Sequence, residues 1–169
     1  EGRIRIGAMP NSSPVLPMFS RKMHDRHPNV DIEIHFLGVE QTRQGLNSFA
    51  LDVGITYVNE ESISDLSSVP IYTEKLSLLV PENSQWADMD QISWHEAADL
   101  PLCLLDASMH ERRIIDEVFA QIDRSPSPVV TASDSILNLI FHVMFADLVT
   151  IVPSHFARLP GGLRGILII

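Results

Sequence analysis

The chain has 169 residues, 45% of them apolar, which is enough for one large domain or two small lobes to bury a hydrophobic core. Its 12 basic and 22 acidic residues give a formal net charge of −10, so the chain should repel a polyphosphate backbone, which excludes direct binding to DNA or RNA. The single cysteine, Cys103, excludes an internal disulfide and is typical of a small core residue in a reducing compartment.

The first part of the sequence alternates between strand and helix patterns. Residues 3–8 alternate Ile and Arg, which predicts a half-buried strand. Ser13 is a suitable N-cap, and Pro14 suits the first turn of a helix that should end at residues 27–28, His-Pro. A second strand, a second helix and a third strand follow at residues 30–37, 39–49 and 51–57. This order predicts parallel strands with right-handed crossovers.

A second series of elements follows a polar loop at residues 59–68 and a long strand at 71–81, which we expect to pass between two lobes. Ser93 and Glu96 have the spacing of a capping box for a short helix. Strands and helices then alternate at residues 100–106, 109–122, 129–132, 133–145, 148–153 and 162–169. The inward face of helix 133–145 is predicted to carry Ile136, Leu137, Ile140, Phe141 and Met144. The alternation predicts α/β architecture with parallel sheets in two lobes joined by a hinge.

Small polar residues recur where predicted strands run into helices. The ligand crevice of an open parallel sheet lies beyond the carboxyl ends of its strands, where helix N-termini favour anions. The four turns of this kind contain Asn11, Ser12 and Ser13, then Gly38, Val39 and Glu40, then residues 106–111, and then residues 131–135. We expect them to converge on one pocket between the lobes and to bind a small ligand.

An alternative interpretation applies to these turns. Ser13 and Ser133 are also what a helix needs as a cap. Carboxylates at the turns, those of Glu40, Asp106 and Asp134, would repel a multiply charged anion. A singly charged or amphoteric ligand is therefore not excluded. The first turn of helix 109–122 carries Arg112 and Arg113, for which a solvated face is favoured over contact with an anion.

Motifs for catalysis, cofactors and metals are absent from the sequence. His24 and His27 lie three residues apart without a third metal ligand. There is no G-x-S-x-G, no Walker loop and no G-x-G-x-x-G. We therefore predict no cofactor, no metal and no enzymatic activity. No secretory signal precedes the first strand, and no apolar run reaches the roughly 18 to 20 residues that span a bilayer, so we expect a cytoplasmic fragment of a longer protein.

Several segments resemble the effector-binding domain of LysR-type transcriptional regulators. They are GRIRIGAMPNSSPVLPMFSRKMHDRHPNVDIEIHFLG, LDVGI, YTEKLSLLVPENSQWA, ADLPLCLLDASMHERRIIDEVF and LVTIVPSHFA, which occur in this order over nearly the whole chain. The resemblance implies a fold like that of type 2 periplasmic binding proteins, with two Rossmann-like lobes joined by hinge strands. Lobe I would span residues 1–76 and lobe II residues 77–157. Residues 158–169 would return towards lobe I in truncated form.

The resemblance also implies a site and partners. By position, the effector contacts would be Ser12, Ser13, Val39, Ala107, Ser108 and Ser133, and Asn11 joins them from the first turn. Relatives often carry a hydroxyl residue where this chain has Val39. The resemblance implies a protein that senses a small metabolite, and we expect this metabolite to be a carboxylate or another oxyanion. Such a protein forms dimers or tetramers, for which the helix at residues 13–26 is a candidate face, with burial in the core as the default explanation of the apolar residues on that helix. It reaches DNA through an N-terminal winged helix-turn-helix that this chain lacks. A transport solute-binding protein with the same fold is the alternative.

Overall fold

The structure is a computed structural model that describes residues 2–57, 65–158 and 161–169. The chain divides into two compact units, residues 1–73 and residues 74–169. Both units alternate strands and helices, so the predicted α/β class is confirmed. The predicted polar loop at 59–68 lies largely outside the described residues.

The first unit is a three-stranded parallel sheet in the order β2-β1-β3. The elements are β1 (Gly2–Ala8), α1 (Leu16–Arg26), β2 (Val30–Phe36), α2 (Val39–Asn47) and β3 (Val53–Ile55). The central strand, β1, carries the predicted alternation, and its Ile6 is paired with Ile34 on one side and with Val53 on the other. Because all three strands are parallel, their carboxyl ends meet at one edge of the sheet.

The second unit contains the remaining described strands and α-helices. They are β4 (Leu76–Pro81), β5 (Gln91–Ile92), α3 (Trp94–Ala97), β6 (Leu102–Leu105), α4 (His110–Gln121), β7 (Val129–Ser133), α5 (Ile136–Phe145), β8 (Thr150–Pro153) and β9 (Leu163–Ile168). Four strands form a sheet in the order β5-β9-β4-β8, and β6 pairs in parallel with β7. A parallel bridge between Leu102 and Val149 links β6 to the residue before β8.

The core of the second unit lies on both faces of its strands. Leu78 and Val80 of β4 point into one cluster, which contains Ile115 and Phe119 of α4. Leu79, between them, points into the opposite cluster, which contains α5 and Cys103. This alternation of period two lets α4 and α5 cover opposite faces. Burial raises the pKa of the Cys103 thiol to about 11, as expected of a core cysteine.

One strand prediction differs from the structure. The long strand expected at residues 71–81 forms only from Leu76, because its antiparallel pairing with β8 starts there, opposite Pro153, the last residue of β8. The strand predicted at residues 162–169 forms as β9, which pairs with β4 and β5. Its hydrogen bonds therefore place it in the sheet of the second unit.

The inward face of α5 also differs from the prediction. The buried residues are Ile136, Leu139, Ile140 and Val143. Leu137, Phe141 and Met144, which the sequence pattern places inside, are 59%, 46% and 37% exposed. An almost wholly apolar helix has no polar face, so periodicity alone does not fix which side packs.

Candidate functional site

The first candidate turn follows β1 and is a short 3₁₀ helix, Pro10–Ser12. Asn11 and Ser12 are each only 3% exposed, which is unusual for polar residues at the end of a strand. The Ser12 hydroxyl donates to the Met9 carbonyl over 2.6 Å, and the Ser13 hydroxyl donates to the Pro10 carbonyl. Each hydroxyl proton is used within the turn in this arrangement, so either serine would donate to a ligand oxyanion only after its hydroxyl rotates towards the ligand.

Ser13 is not the N-cap of the first helix, so that prediction is wrong. The intervening 3₁₀ turn delays α1 until Leu16, with Val15 at the cap position and Pro17 in the first turn. The predicted end is confirmed, since Arg26 is the last helical residue and Pro28 follows two positions later.

The second candidate turn follows β2 and lies beside the first. The Leu37 N–H donates to the Ala8 carbonyl over 2.9 Å, which joins the ends of β1 and β2. Val39 is the first residue of α2 and is partly exposed. Glu40 accepts from the guanidinium of Arg43 through both oxygens at 2.9 Å, and this hydrogen bonding lowers the pKa of Glu40 to about 2. Its charge is therefore matched on its own helix and does not oppose an anion at the turn.

Tyr57 is a candidate that sequence reasoning missed. It stands just past β3, the third strand to end at this edge, where the Met9 N–H donates to the Ile55 carbonyl. The Asn11 side-chain amide donates to the Tyr57 hydroxyl over 2.6 Å. Residues at the carboxyl ends of parallel strands are candidates for ligand contact, and Tyr57 follows the parallel strand β3 as Asn11 follows β1. The sequence prediction covered only strands that run into a predicted helix, so it did not include Tyr57.

In the second unit, the turns after β6 and β7 lie side by side, because the Asp106 N–H donates to the Ser133 carbonyl over 2.9 Å. Ala107 and Ser108 are exposed in the first of these turns. The Ser108 N–H donates to the Asp106 carboxylate over 3.0 Å, and this bond lowers the pKa of Asp106. The turn thus holds an ionised carboxylate.

Ser133 is not the cap of α5, which corrects the alternative interpretation of that residue. It is the last residue of β7, and its hydroxyl oxygen accepts from the Ser135 N–H. The cap is Ser135, whose hydroxyl accepts from the Asn138 N–H over 3.3 Å. Pairing of β6 with β7 extends to Leu105 and Ser133, so the strand holds Ser133 in extended conformation.

Arg112 does not lie on a solvated face. Its side chain is 14% exposed, donates to the Leu105 carbonyl and pairs with Asp116, both over 2.8 Å. Its neighbour Glu111 is 7% exposed, and the sequence pattern gives no sign of this burial.

The structure thus gathers the predicted residues into two groups, one in each unit. Asn11, Ser12, Ser13 and Val39 lie at the carboxyl edge of the first sheet, and Ala107, Ser108 and Ser133 lie at the carboxyl ends of β6 and β7. Two surface depressions in the second unit are lined by other residues, among them Glu82, Asp147 and Arg164, and they contain none of the predicted ones.

The described residues contain no group of three or more His, Cys, Asp or Glu side chains placed to hold a metal ion. Nor does this part of the chain include a helix long and apolar enough to cross a membrane.

Comparison with known proteins gives a family match over nearly the whole chain. Residues 1–168 match the model of the LysR substrate binding domain. The HTH-type transcriptional regulator SsuR of Burkholderia cenocepacia is 25% identical over 120 residues, which are 71% of this chain and 39% of that protein. A probable hydrogen peroxide-inducible genes activator of Streptomyces viridosporus is 28% identical over 106 residues, 62% of this chain and 34% of that protein. The chain therefore spans only about a third to two-fifths of these relatives.

Solved structures with the same fold cover the chain almost completely. The Synechocystis CcmR regulatory domain in complex with 2-PG has a TM-score of 0.81 at 16% identity, over 99% of this chain and 81% of that one. The BenM effector binding domain with its effector benzoate has a TM-score of 0.78 at 18% identity, over 100% and 78%. At this identity the likeness establishes the fold, which is the type 2 periplasmic-binding-protein-like fold that the sequence predicted.

Proposed function

The chain belongs to the LysR substrate binding domain family, and from this premise we propose that it is the effector sensor of a transcriptional regulator. A small metabolite would bind at the strand-to-helix turns and favour one conformation of the domain. A ligand shifts such an equilibrium only as far as its affinities for the two states differ. The change would pass to an N-terminal winged helix-turn-helix and alter its contacts with DNA in the cytoplasm.

The observation that carries this proposal is the burial of Asn11 and Ser12 at the end of β1. Buried polar side chains at the carboxyl edge of a parallel sheet lie where ligands of open α/β folds bind. Each is 3% exposed, and the turn after β2 is joined to theirs by a backbone hydrogen bond. In the second unit, the candidate effector contacts are Ala107, Ser108 and Ser133, at the paired turns after β6 and β7.

The ligand we propose carries a carboxylate or another oxyanion. The start of α2 lies at the same edge, and helix N-termini, whose first backbone N–H groups have no partner within the helix, favour negative charge. Arg43 matches the charge of Glu40 there. The benzoate of BenM and the 2-PG of CcmR are ligands of those proteins and lend support by similarity of fold.

We also propose that the protein works as a dimer or tetramer of identical chains. The first helix is the dimer face that the family resemblance implies, and its Met18 is 54% exposed. On α5, Leu137, Phe141 and Phe145 form an exposed apolar surface, and such surfaces on soluble proteins mark contact sites. Phe141→Ser should shift the sedimentation of the full-length protein towards smaller species, whereas an unchanged distribution would exclude α5 from the interface.

Ligand binding is tested by a thermal-shift panel of small anions and amino acids on the full-length protein. A ligand at one hundred times its dissociation constant adds about 2.7 kcal/mol of stability. The variants Ser12→Ala, Ser13→Ala and Ser133→Ala, each measured separately, should weaken the binding of a compound found in this way. Ser48→Ala is the matched control, because Ser48 is exposed and its hydroxyl donates to the Gly45 carbonyl within its own helix end. A loss of stability with unchanged affinity would leave the three serines as structural residues only.

A further inference from the structure

The guanidinium of Arg112 lies against the carboxyl end of β6, although Arg112 belongs to the first turn of α4. Its Nη1 atom donates to the carbonyl of Leu105, the last residue of β6, over 2.8 Å. Its Nε atom donates to Asp116, one turn further along the helix, also over 2.8 Å. The side chain is 14% exposed, so these contacts are largely shielded from water. Arg112 therefore ties α4 to the end of a buried strand.

The carbonyl of Leu105 needs a donor that β7 does not provide. The Asp106 N–H donates to the Ser133 carbonyl of β7. Because the carbonyl and the N–H of one planar trans peptide point in opposite directions, the Leu105 carbonyl points away from β7. Leu105 is 5% exposed, and a buried carbonyl without a partner is costly. Arg112 supplies this partner and so completes the hydrogen bonding at the end of β6.

The residues that follow Leu105 form one of the turns with candidate effector contacts. The Asp106 carboxylate accepts from the Ser108 N–H, and the Asp106 carbonyl accepts from the Met109 N–H over 2.9 Å. Hydrogen bonding from Ser108 is the main cause of the lowered pKa of Asp106, and the positive charge of Arg112 contributes to it. Arg112 thus acts on the carbonyl before the turn and on the carboxylate inside it.

The neighbouring arginine provides a contrast on the same helix. Arg113 is exposed, and the structure shows no ion pair or hydrogen bond from its side chain to another described residue. The contact that Arg112 makes also depends on the guanidinium group. This group is a rigid planar fork that offers separate donors to two acceptors, whereas a lysine ammonium is a compact charge on a flexible chain. Arg113 is therefore a matched control for Arg112, and lysine is the substitution that tests the fork.

We propose that Arg112 is a positioning residue for the effector. It holds the end of β6 in place, so that Ala107 and Ser108 stay where they can contact the ligand, and it does not touch the ligand itself. A turn that is already ordered loses less conformational freedom on binding, which raises the affinity. This inference rests on the proposed sensor function and adds to it the residue that orders the turn after β6.

The first measurement is hydrogen exchange in the ligand-free full-length protein. The backbone N–H groups of Asp106, Ser108 and Met109 are hydrogen-bonded, which makes them reporters of the turn. In Arg112→Lys they should exchange about tenfold faster than in the wild type, the size of one charged hydrogen bond, while the β4 amides keep their rates. Arg113→Lys should change neither. Faster exchange throughout β4 in Arg112→Lys would mean that Arg112 stabilises the whole unit, which overturns the proposal.

The second measurement is calorimetric titration of the full-length protein with acetate, succinate, benzoate, sulfate and phosphate. Each probe that binds the wild type should bind Arg112→Lys about tenfold more weakly and Arg113→Lys equally well. Asp116→Asn removes the charge that holds the guanidinium but leaves its bond to Leu105, so it should weaken binding by about twofold to threefold. If Arg112→Lys does not fold, unchanged affinity in Asp116→Asn overturns the proposal.

The outcomes also distinguish this inference from the function it rests on. If Arg112→Lys binds the probes as tightly as the wild type does, the sensor function stands and the role of Arg112 is wrong. The role of Arg112 is equally wrong if Arg113→Lys weakens binding to the same extent. If no probe binds the wild type, both the proposed sensing of oxyanions and this inference fail.

Discussion

The two units are stabilised in different ways. In the second unit, hydrophobic side chains fill both faces of the strands. In the described part of the first unit, the buried hydrophobic residues are Ala8, Met9, Leu16 and Leu51, while Phe36 and Phe49 are 54% and 82% exposed. Polar contacts are prominent in the first unit instead, among them Arg5 with Asp52, Asn11 with Tyr57, and Arg43 with Glu40 and Asp65.

This difference indicates which unit is the more stable and which changes its packing more easily when a ligand binds. Apolar burial contributes most of the free energy of folding, so the second unit should be the more stable part of the chain. Contacts among exposed charges contribute little each and respond to pH and salt. The turn that buries Asn11 and Ser12 therefore sits on the unit whose packing is the more easily changed, as suits a site that responds to a ligand.

The largest predicted effect comes from truncating the core of the second unit. Phe119 is 1% exposed, and its ring meets Trp94 edge-on with centroids 5.1 Å apart. Phe119→Ala should lower the free energy of unfolding by about 3–5 kcal/mol, as measured by chemical denaturation. Phe49→Ala, an equal truncation at an exposed position of the first unit, should change it by less than about 0.5 kcal/mol. Equal losses in the two variants would contradict the contrast between the units.

The second-largest predicted loss of stability comes from close packing in the second unit. A Cβ atom added at Gly165 of β9 would lie 2.0 Å from the Cβ of Ala157 and 3.2 Å from its Cα. Gly165→Ala should therefore lower the unfolding free energy by about 1–3 kcal/mol, because the neighbouring backbone has to move. Gly2→Ala in β1 is the control, since the added Cβ meets no atom within 4 Å. A neutral Gly165→Ala would show that β9 packs loosely against residues 154–158.

Removing a helix cap should cause a smaller loss of unfolding free energy, and this loss shows which serines cap helices. Ser135 accepts from the Asn138 N–H at the start of α5, whereas Ser13 donates to the Pro10 carbonyl and caps no helix. Ser135→Ala should cost about 1 kcal/mol in the second unit, measured by denaturation. Ser13→Ala should cost less, since it removes a hydrogen bond without leaving a helix N–H unpaired. The reverse order would restore the sequence-based assignment of Ser13 as a cap.

The order of elements was predictable from sequence, while details set by tertiary contacts were not. Alternation of period two in β1 and the capping box of Ser93 and Glu96 are local signals, and both are confirmed. Ser133 and Ser135 are equally good caps in the sequence, and only the pairing of β7 with β6 decides between them. In the same way, residues 71–75 carry a strand pattern but lie outside β4, which begins opposite Pro153, the last residue of its antiparallel partner β8.

The candidate site was predictable to a similar extent. Parallel topology alone places Asn11, Ser12 and Val39 at one edge and Ser108 and Ser133 at another, because strand ends gather there. The hydrogen bond from Asn11 to Tyr57 and the burial of Glu111 depend on side-chain packing between segments distant in sequence. Local patterns carry no information about such contacts, so the sequence analysis missed Tyr57 and the burial of Glu111.

The smallest predicted effect is acid sensitivity of the first unit. Hydrogen bonds from the guanidinium of Arg5, together with its backbone N–H, lower the pKa of Asp52 from 3.8 to about 2. Because the pKa of Asp52 is lower in the folded state than in the unfolded state, the ion pair stabilises the fold at pH values above about 4. This stabilisation is lost as the pH falls towards 2. Hydrogen exchange of β1 and β3 amides should therefore accelerate over this range relative to β4, after correction for the intrinsic effect of pH.

Asp52→Asn separates this ion pair from general acid effects. At pH 7, the β1 and β3 amides of the variant should exchange faster than those of the wild type. Between pH 4 and pH 2, their exchange should accelerate less than in the wild type, because the titrating carboxylate is gone. Asp31→Asn changes an exposed carboxylate on β2 of the same sheet and should keep the wild-type profile. If Asp52→Asn also retained that profile, other carboxylates would account for the acid sensitivity, and the Arg5–Asp52 pair would not distinguish the first unit from the second.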